Sequence, residues 1–311
     1  MGPLRNRRLV ISHNPHSSRA SEVQEQVFDR LDAAGYAYET IEVRQAHLND
    51  NVARLAPLIK PGDIILSAAG DGSAHATAHA VMAANQPDVE LGFLAYGNFN
   101  DLPNTFNTKA TLRDPVAFLE AAKSQAVWPI DVYVNDEKQR SALLYATIGW
   151  TASAAGLFDA PHVRRSITHG GAGIVRSLCR TGLYYLRSRR GSQLPAFLYN
   201  DKQYVATDLL FANGPTLARL FKTGVRYYSQ SSFLFRTLDV RKLVPNIPFL
   251  MSGLLGRITG EEVSAVLVTF PDPSRLQTQC DGEVFFVEHA TKVEVRKSEQ
   301  PLMVLGVRPL T

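Results

Sequence analysis

Asp71 is the residue whose neighbours make it chemically suggestive. It stands between Gly70 and Gly72, directly after the run Asp63-Ile64-Ile65-Leu66-Ser67-Ala68-Ala69 and before Ser73, Ala74 and His75. Glycines at 70 and 72 can take φ > 0 and have no Cβ to block a ligand. A helix starting here would offer free backbone N–H groups and the positive end of its dipole, which suits phosphate. A carboxylate repels phosphate unless a divalent cation lies between them, so Gly-Asp-Gly points to a magnesium–nucleotide site more than to a bare anion hole. Taken alone, the three residues are more simply a tight strand-to-helix turn with an Asp N-cap. Two other phosphate loops are excluded: no Gly-x-x-x-x-Gly-Lys-Ser/Thr occurs, and His75 replaces the third glycine of Gly-x-Gly-x-x-Gly.

The elements that must position Asp71 alternate through the first third of the chain. Arg8 to Ser12 reads as a strand; Val23, Val27, Phe28 and Leu31 recur at helical spacing and stop at Gly35; Tyr38 to Val43 alternates as a second strand. A helix through Val52, Leu55, Leu58 and Ile59 follows. The buried strand before Gly70, the helix Ser73 to Ala84 and a strand over Leu91 to Tyr96 come next. Strand, helix, strand, helix predicts a parallel sheet covered on both faces, with ligands beyond the carboxyl ends of the strands. The loops Asn14 to Arg19, Gly70 to Ser73 and Gly97 to Asn104 leave such ends.

The whole chain has 311 residues, 45% hydrophobic and 20% charged, enough for two cores of typical size. A formal charge of +4 permits an anionic partner without requiring one. Cys179 and Cys280 match no metal or redox spacing and read as free thiols in a reducing compartment. The residues from Met1 to Arg8 do not read as a signal peptide, Asn6 breaks a myristoylation signal, and the uncharged stretch Ala142 to Phe158 falls short of a membrane span.

After Trp128 the texture changes. Short β-like runs occur at Ile130 to Val134, Ser141 to Ile148, Pro195 to Leu198, Asp208 to Ala212, Val263 to Phe270, Val284 to Val287 and Lys292 to Val295, which predicts an antiparallel β-sandwich. The expected domains are 1–129 for the α/β part, with 297–311 returning to it, and 130–296 for the sandwich. A basic helical insertion near 162–190 interrupts the second part. No Asp or Glu occurs from Ala160 to Asn200, while Arg164, Arg165, Arg176, Arg180, Arg187, Arg189 and Arg190 do. Either a solvated Arg face on a packed helix or a role at an anionic membrane surface accounts for it, and no stacking series or base-reading motif favours nucleic acid. His75 and His79 lie four apart and could share a metal, but Ala76 occupies the place of the zincin glutamate and no third ligand is evident.

Four motifs in order carry a resemblance. Asn14-Pro15, Gly70-Asp71-Gly72-Ser73, Tyr96-Gly97-Asn98-Phe99-Asn100-Asp101 and Cys280-Asp281-Gly282-Glu283 are similar to the Asn-Pro-x-Ser-Gly, Gly-Gly-Asp-Gly-Thr, Gly-Thr-x-Asn-Asp and Asp-Gly-Glu motifs of the diacylglycerol kinase catalytic superfamily. That family includes bacterial lipid kinases, sphingosine kinases and ceramide kinases, and is distantly related to NAD kinases and the phosphofructokinase-like fold. Phe211 to Pro215 resembles a further strand-end motif of its second domain. The resemblance implies ATP and Mg2+, and transfer of the γ-phosphoryl group to a lipid hydroxyl in phospholipid metabolism. With the basic segment and the free cysteines, the expectation is a cytoplasmic protein peripheral to an anionic membrane, with a homodimer allowed and no nucleic-acid partner.

By the same resemblance, Asn14, Gly70, Gly72, Ser73, Gly97 and Asn100 contact the nucleotide, with Arg19 near its phosphates. Asp101 and Asp71 support the metal. Asp281 matches the base of bacterial lipid kinases with Glu283 beside it, and Asp71 is the rival base, as sphingosine kinases use it. The sequence departs from the family at Ala69, Ser18, Asn98, His75 and Ala76, and after Asn213-Gly214, where Thr216 to Phe233 replaces a glycine cluster and an Asp-Gly. Two alternatives therefore stand beside an active lipid kinase: a catalytically weakened homologue that binds nucleotide or lipid, and a soluble small-molecule kinase resembling NAD kinase.

Overall fold

The structure is a computed structural model that describes residues 6–44, 47–97, 100–159, 194–217, 221–223, 230–239 and 260–308. The basic segment near 162–190, Cys179 and Asn98 lie outside the described residues. The chain divides into two compact units, Met1–Val127 with Gln300–Thr311, and Trp128–Glu299.

The first unit carries strands β1 (Leu9–His13), β2 (Tyr38–Glu42), β3 (Ile64–Ala69), β4 (Glu90–Ala95) and β5 (Lys123–Val127), joined by a last strand, Leu302–Gly306. Their order is β2-β1-β3-β4, then Leu302–Gly306, then β5. The first five run parallel, and β5 is antiparallel to Leu302–Gly306. Every residue of β3 is buried, as expected of a central parallel strand covered on both faces. The helices are α1 (Ala20–Val23) and α2 (Asp29–Ala33), joined by a π-helical turn at Gln24–Phe28, then α3 (Leu48–Leu55), α4 (Asp71–Ala84), α5 (Asp101–Phe106) and α6 (Pro115–Ala121). On one side of the sheet Val23, Val27, Phe28, Leu31 and Phe118 pack against Leu9, Ile11, Ile64, Leu66, Leu94 and Leu305. Ala74, Ala76, Ala78 and Ala80 are buried, so α4 lies close to its neighbours with almost no side-chain bulk between. Ser12 Oγ and Thr77 Oγ1 meet at 2.6 Å and tie α4 to β1.

The second unit contains β6 (Ile130–Val134), β7 (Glu137–Ala142), β8 (Tyr145–Gly149), helix α7 (Trp150–Asp159), β9 (Phe197–Tyr199), β10 (Lys202–Tyr204) and β11 (Asp208–Ala212), followed by Phe233–Leu238, Glu261–Val263, Ala265–Cys280 and Glu283–Lys297. These strands form one antiparallel network. It encloses a single core that includes Ile130, Val132, Phe197, Phe211, Phe233, Val268, Val293 and Val295. The runs read separately from sequence at 284–287 and 292–295 are one strand of 15 residues, and Ala265–Cys280 is one of 16. Their pairing shifts register between Thr269 and Ser274 and again before Leu276, around Pro271 and Pro273. Proline cannot donate to a ladder, which breaks the alternation that sequence reading depends on.

Helix α7 went unrecognised in the sequence because part of its cap comes from far along the chain: Thr151 N donates to Asp208 Oδ1 at 2.6 Å. Asp208 is fully buried, and burial pushes its carboxyl from 3.8 up to about 7. Between about pH 4 and 7 the folded chain holds a proton there that the unfolded chain has lost, so this group's contribution to stability falls as pH rises through that window. Asp208→Asn keeps an acceptor for Thr151 without a charge to bury. It is expected to be more stable than the parent at pH 8, by on the order of 1–2 kcal/mol, in urea denaturation. Equal midpoints at pH 8 would contradict the buried-charge reading.

Candidate active site

In the first unit, β1, β3 and β4 are neighbours in parallel register, with His13 beside Ala68 and Ala69 beside Ala95. The loops starting at Asn14, Gly70 and Gly97 therefore leave adjacent carboxyl ends, where open α/β sheets bind ligands. Asn14 Oδ1 accepts from His16 N at 2.9 Å, and Ser17 N donates to the Asn14 carbonyl at 3.1 Å, so the first loop is an Asx-turn. Arg19, just before α1, pairs with Glu22 at 3.4 Å, and Glu22 also meets Arg113 at 3.4 Å.

Asp71 and Asp101 are the first residues of α4 and α5. The Asp71 carboxylate accepts from Asn100 N (2.8 Å, Oδ2) and Asp101 N (2.9 Å, Oδ1), so an acid from one loop caps the helix that follows the other. Asn100 takes the left-handed conformation at φ 55° and closes its own turn, with Gly97 N donating to Oδ1 (2.6 Å) and Nδ2 to the Gly97 carbonyl (2.7 Å). No side chain caps the start of α4. Its first-turn N–H groups and dipole thus face the loop ends, an arrangement suited to an anion. Ser73 lies in this turn, and its carbonyl accepts from Thr77 Oγ1 at 2.9 Å.

The two glycine loops touch. A Cβ on Gly97 would stand 2.7 Å from Gly70 Cα and 3.2 Å from Asp71 N. Since both obstacles are backbone, neither can swing aside. Gly97→Ala is expected to cost roughly 1–3 kcal/mol from overpacking, read as a lower melting temperature. An unchanged melting temperature would show that the loops can separate freely.

Among the described residues no cluster of three or more His, Cys, Asp or Glu could hold a metal ion, and His75 and His79 are ring neighbours at 4.4 Å. Magnesium does not need such a cage, because it takes one or two carboxylates with waters and phosphate oxygens completing the octahedron. Asp71 supplies one such carboxylate at the uncapped helix start, and Asp101, whose backbone N–H it accepts, brings a second acid into the same pair of loops, a donor set that fits the ion.

In the second unit, Asp281 and Gly282 form the turn between the two long strands, with φ 49° and 97°, the positive values a two-residue hairpin turn needs. The Asp281 carboxylate is buried. It accepts from Leu143 N (2.6 Å, Oδ2), Leu144 N (2.7 Å, Oδ1) and Tyr145 N (3.0 Å, Oδ1). Asn213 grips the carbonyl edge of the same peptides: its N and that of Gly214 donate to the Leu144 carbonyl (2.7 and 2.6 Å), and its Nδ2 donates to the carbonyls of Leu143 (2.8 Å) and Trp128 (2.9 Å). Lys297 Nζ in turn donates to Asn213 Oδ1, and to the Trp128 carbonyl at 3.4 Å. Burial pushes the Lys297 amine down to about 8. Glu283 pairs with Cys280 across the turn, near the Arg140 guanidinium, which stacks on Phe285 at 4.2 Å. Burial first, and Asp281 next to it, raise the Cys280 thiol, so it stays protonated and unreactive.

Asp71, Asp101, Gly70, Gly97 and Asn100 thus form one connected group in the first unit, with Asn14, Arg19, Gly72 and Ser73 on the same or adjacent loops. Asp281 and Glu283 share a turn in the second. Sequence reading missed the Leu143–Tyr145 peptides, which have no side-chain signature for their role, and Lys297. A signal existed for the lysine: it falls in phase with the inward residues Val293 and Val295, a charge on the apolar side of a strand.

Residues 8–134 match the diacylglycerol kinase catalytic domain. The structure is similar to that of a diacylglycerol kinase from Bacillus anthracis str. Sterne, with TM-score 0.61, 12% identity and 96% of each chain covered. It is also similar to a candidate diacylglycerol kinase from the same organism, with TM-score 0.65, 14% identity and 96% of each chain covered. No curated protein matches the sequence. The family match lies within the first part of the chain, while the likeness of fold to these structures extends over nearly all of it. Among the described residues no helix is long and apolar enough to cross a membrane.

Proposed function

We propose that this chain is an ATP-dependent lipid kinase that transfers the γ-phosphoryl group to the hydroxyl of a diacylglycerol-like or sphingoid lipid at an anionic membrane surface. The observation that carries the reading is the Asp71 carboxylate, fastened to the Asn100 and Asp101 amides at a helix start that no side chain caps. Phosphoryl transfer needs positioning and charge neutralisation more than covalent chemistry. The α4 N–H groups and the Gly70–Gly97 contact cradle the phosphates, with Asn14 and Arg19 on the neighbouring loop. Asp71 and Asp101 are the residues that would hold Mg2+, and the ion would supply neutralisation of phosphate charge there.

The lipid O–H attacks the γ-phosphorus, the new O–P bond forms as the bond to the ADP oxygen breaks, and the hydroxyl proton passes to Asp281. Oδ1 of Asp281 carries the Leu144 and Tyr145 N–H groups and Oδ2 carries that of Leu143, and we assign the proton to Oδ2, the oxygen with fewer of these amide bonds. Glu283 sits beside it and adds negative charge on the acceptor side. A second reading, a homologue that binds nucleotide or lipid without turnover, draws support from the same bonds, since three backbone N–H groups give Asp281 a structural job that would preserve it without catalysis.

γ-Labelled ATP supplied with mixed vesicles of diacylglycerol, ceramide, sphingosine and anionic phospholipid separates the two. Label in the lipid phase is the expected result. Vesicle and nucleotide binding with no labelled lipid would leave the weakened homologue.

A further inference from the structure

We propose that Lys297 is a positioning residue for Asp281, acting through Asn213 and the Leu143–Tyr145 peptides, and that its charge is required for full turnover. This rests on the kinase reading above for its kinetic consequence, but not for its structural one. Lys297 Nζ donates to Asn213 Oδ1. That bond and the donations of Nδ2 to the Leu143 and Trp128 carbonyls demand the same orientation of the Asn213 amide, so the ammonium reinforces it. The Leu143 peptide is therefore held from both sides, with its carbonyl on Asn213 and its N–H on Asp281 Oδ2 at 2.6 Å. Leu144 is held in the same way, its N–H on Asp281 and its carbonyl on the Asn213 and Gly214 amides. The hydrogen bonds run without a gap from Lys297 to Asp281, and a neutral lysine loosens the far end because an amine donates more weakly to Asn213 Oδ1 than an ammonium does.

The charges around Lys297 leave it isolated. Across from it on β6 stands Ile130, and the next residue, Asp131, is taken by Lys138 at 2.8 Å and Ser141 at 2.6 Å. On its own strand Glu294 acts on Arg296, as does Glu299 beyond it, and Asp281 is held by the three amides. Burial alone brings the amine down to about 8. Loss of its proton affects stability and turnover with opposite signs. Between about pH 8 and 10.5 the unfolded chain holds a proton that the folded one lacks, so stability rises with pH while turnover falls. A residue serving stability alone would move both the same way.

The test compares wild type, Lys297→Met and Lys297→Arg by hydrogen exchange of the segment spanning Leu143 to Tyr145 and by kinetics from pH 6.5 to 9.5. In Lys297→Met those amides are expected to exchange at least about tenfold faster with no fall in melting temperature, with kcat about 10- to 100-fold lower and KM for lipid little moved. Lys297→Arg, which stays charged, is expected to recover most of the loss and to remove the decline above pH 8. Unchanged protection and an unchanged pH profile in Lys297→Met would overturn the proposal. If wild type phosphorylates no lipid, the kinase reading fails, and the exchange result still decides the positioning role by itself.

Discussion

Asp281→Asn is expected to lower turnover about 10²- to 10⁴-fold, the range for losing a general base. Two effects act together in this variant. The amide cannot take the hydroxyl proton, and its NH2 group must face at least one of the three backbone N–H donors that now meet carboxylate oxygens. The left-handed backbone at residue 281 suits asparagine, so the turn itself is not the obstacle. A stability loss of roughly 1–3 kcal/mol should therefore accompany the kinetic loss. Turnover measured well below the variant's melting temperature isolates the chemical part. Near-normal turnover in the folded variant would move the base to Asp71 and leave Asp281 as the anchor of the Leu143–Tyr145 peptides.

Asp71→Asn carries the second large effect, expected at about 10²- to 10³-fold in turnover. Its carboxylate holds the Asn100 and Asp101 amides at 2.8 and 2.9 Å, and the same group is assigned to Mg2+. One amide oxygen can keep one of those N–H bonds, so the Gly97–Asp101 loop is released at one point and the negative charge beside the ion disappears. The midpoint of a Mg2+ titration should rise along with the drop in kcat, and chelation with EDTA should silence wild type. A variant with reduced kcat and an unshifted Mg2+ midpoint would assign Asp71 to the loop alone.

The parallel sheet was legible because its strands are short apolar runs punctuated by glycine and proline, and Ile64 to Ala69 shows this most plainly. The glycine loops were legible as motifs, yet their mutual contact was not, since nothing local says that Gly70 and Gly97 meet backbone to backbone. In the second unit alternation located strands but not their lengths, because Pro271 and Pro273 interrupt a strand that pairs on both sides of them. Helix α7 and the grip on Leu143–Tyr145 were hidden for a common reason. Each depends on a side chain from a distant strand, Asp208 in one case and Asp281 with Asn213 in the other, bonding to backbone that carries no sequence signature.

The most direct measurement offers γ-labelled ATP and Mg2+ to wild type with diacylglycerol vesicles, sphingosine and NAD present together, then partitions the products between organic and aqueous phases. Label bound to lipid, absent with EDTA and strongly reduced in Asp71→Asn and Asp281→Asn, is the expected result. Label appearing on NAD, or on no acceptor at all while the protein still binds ATP, would contradict the lipid-kinase proposal.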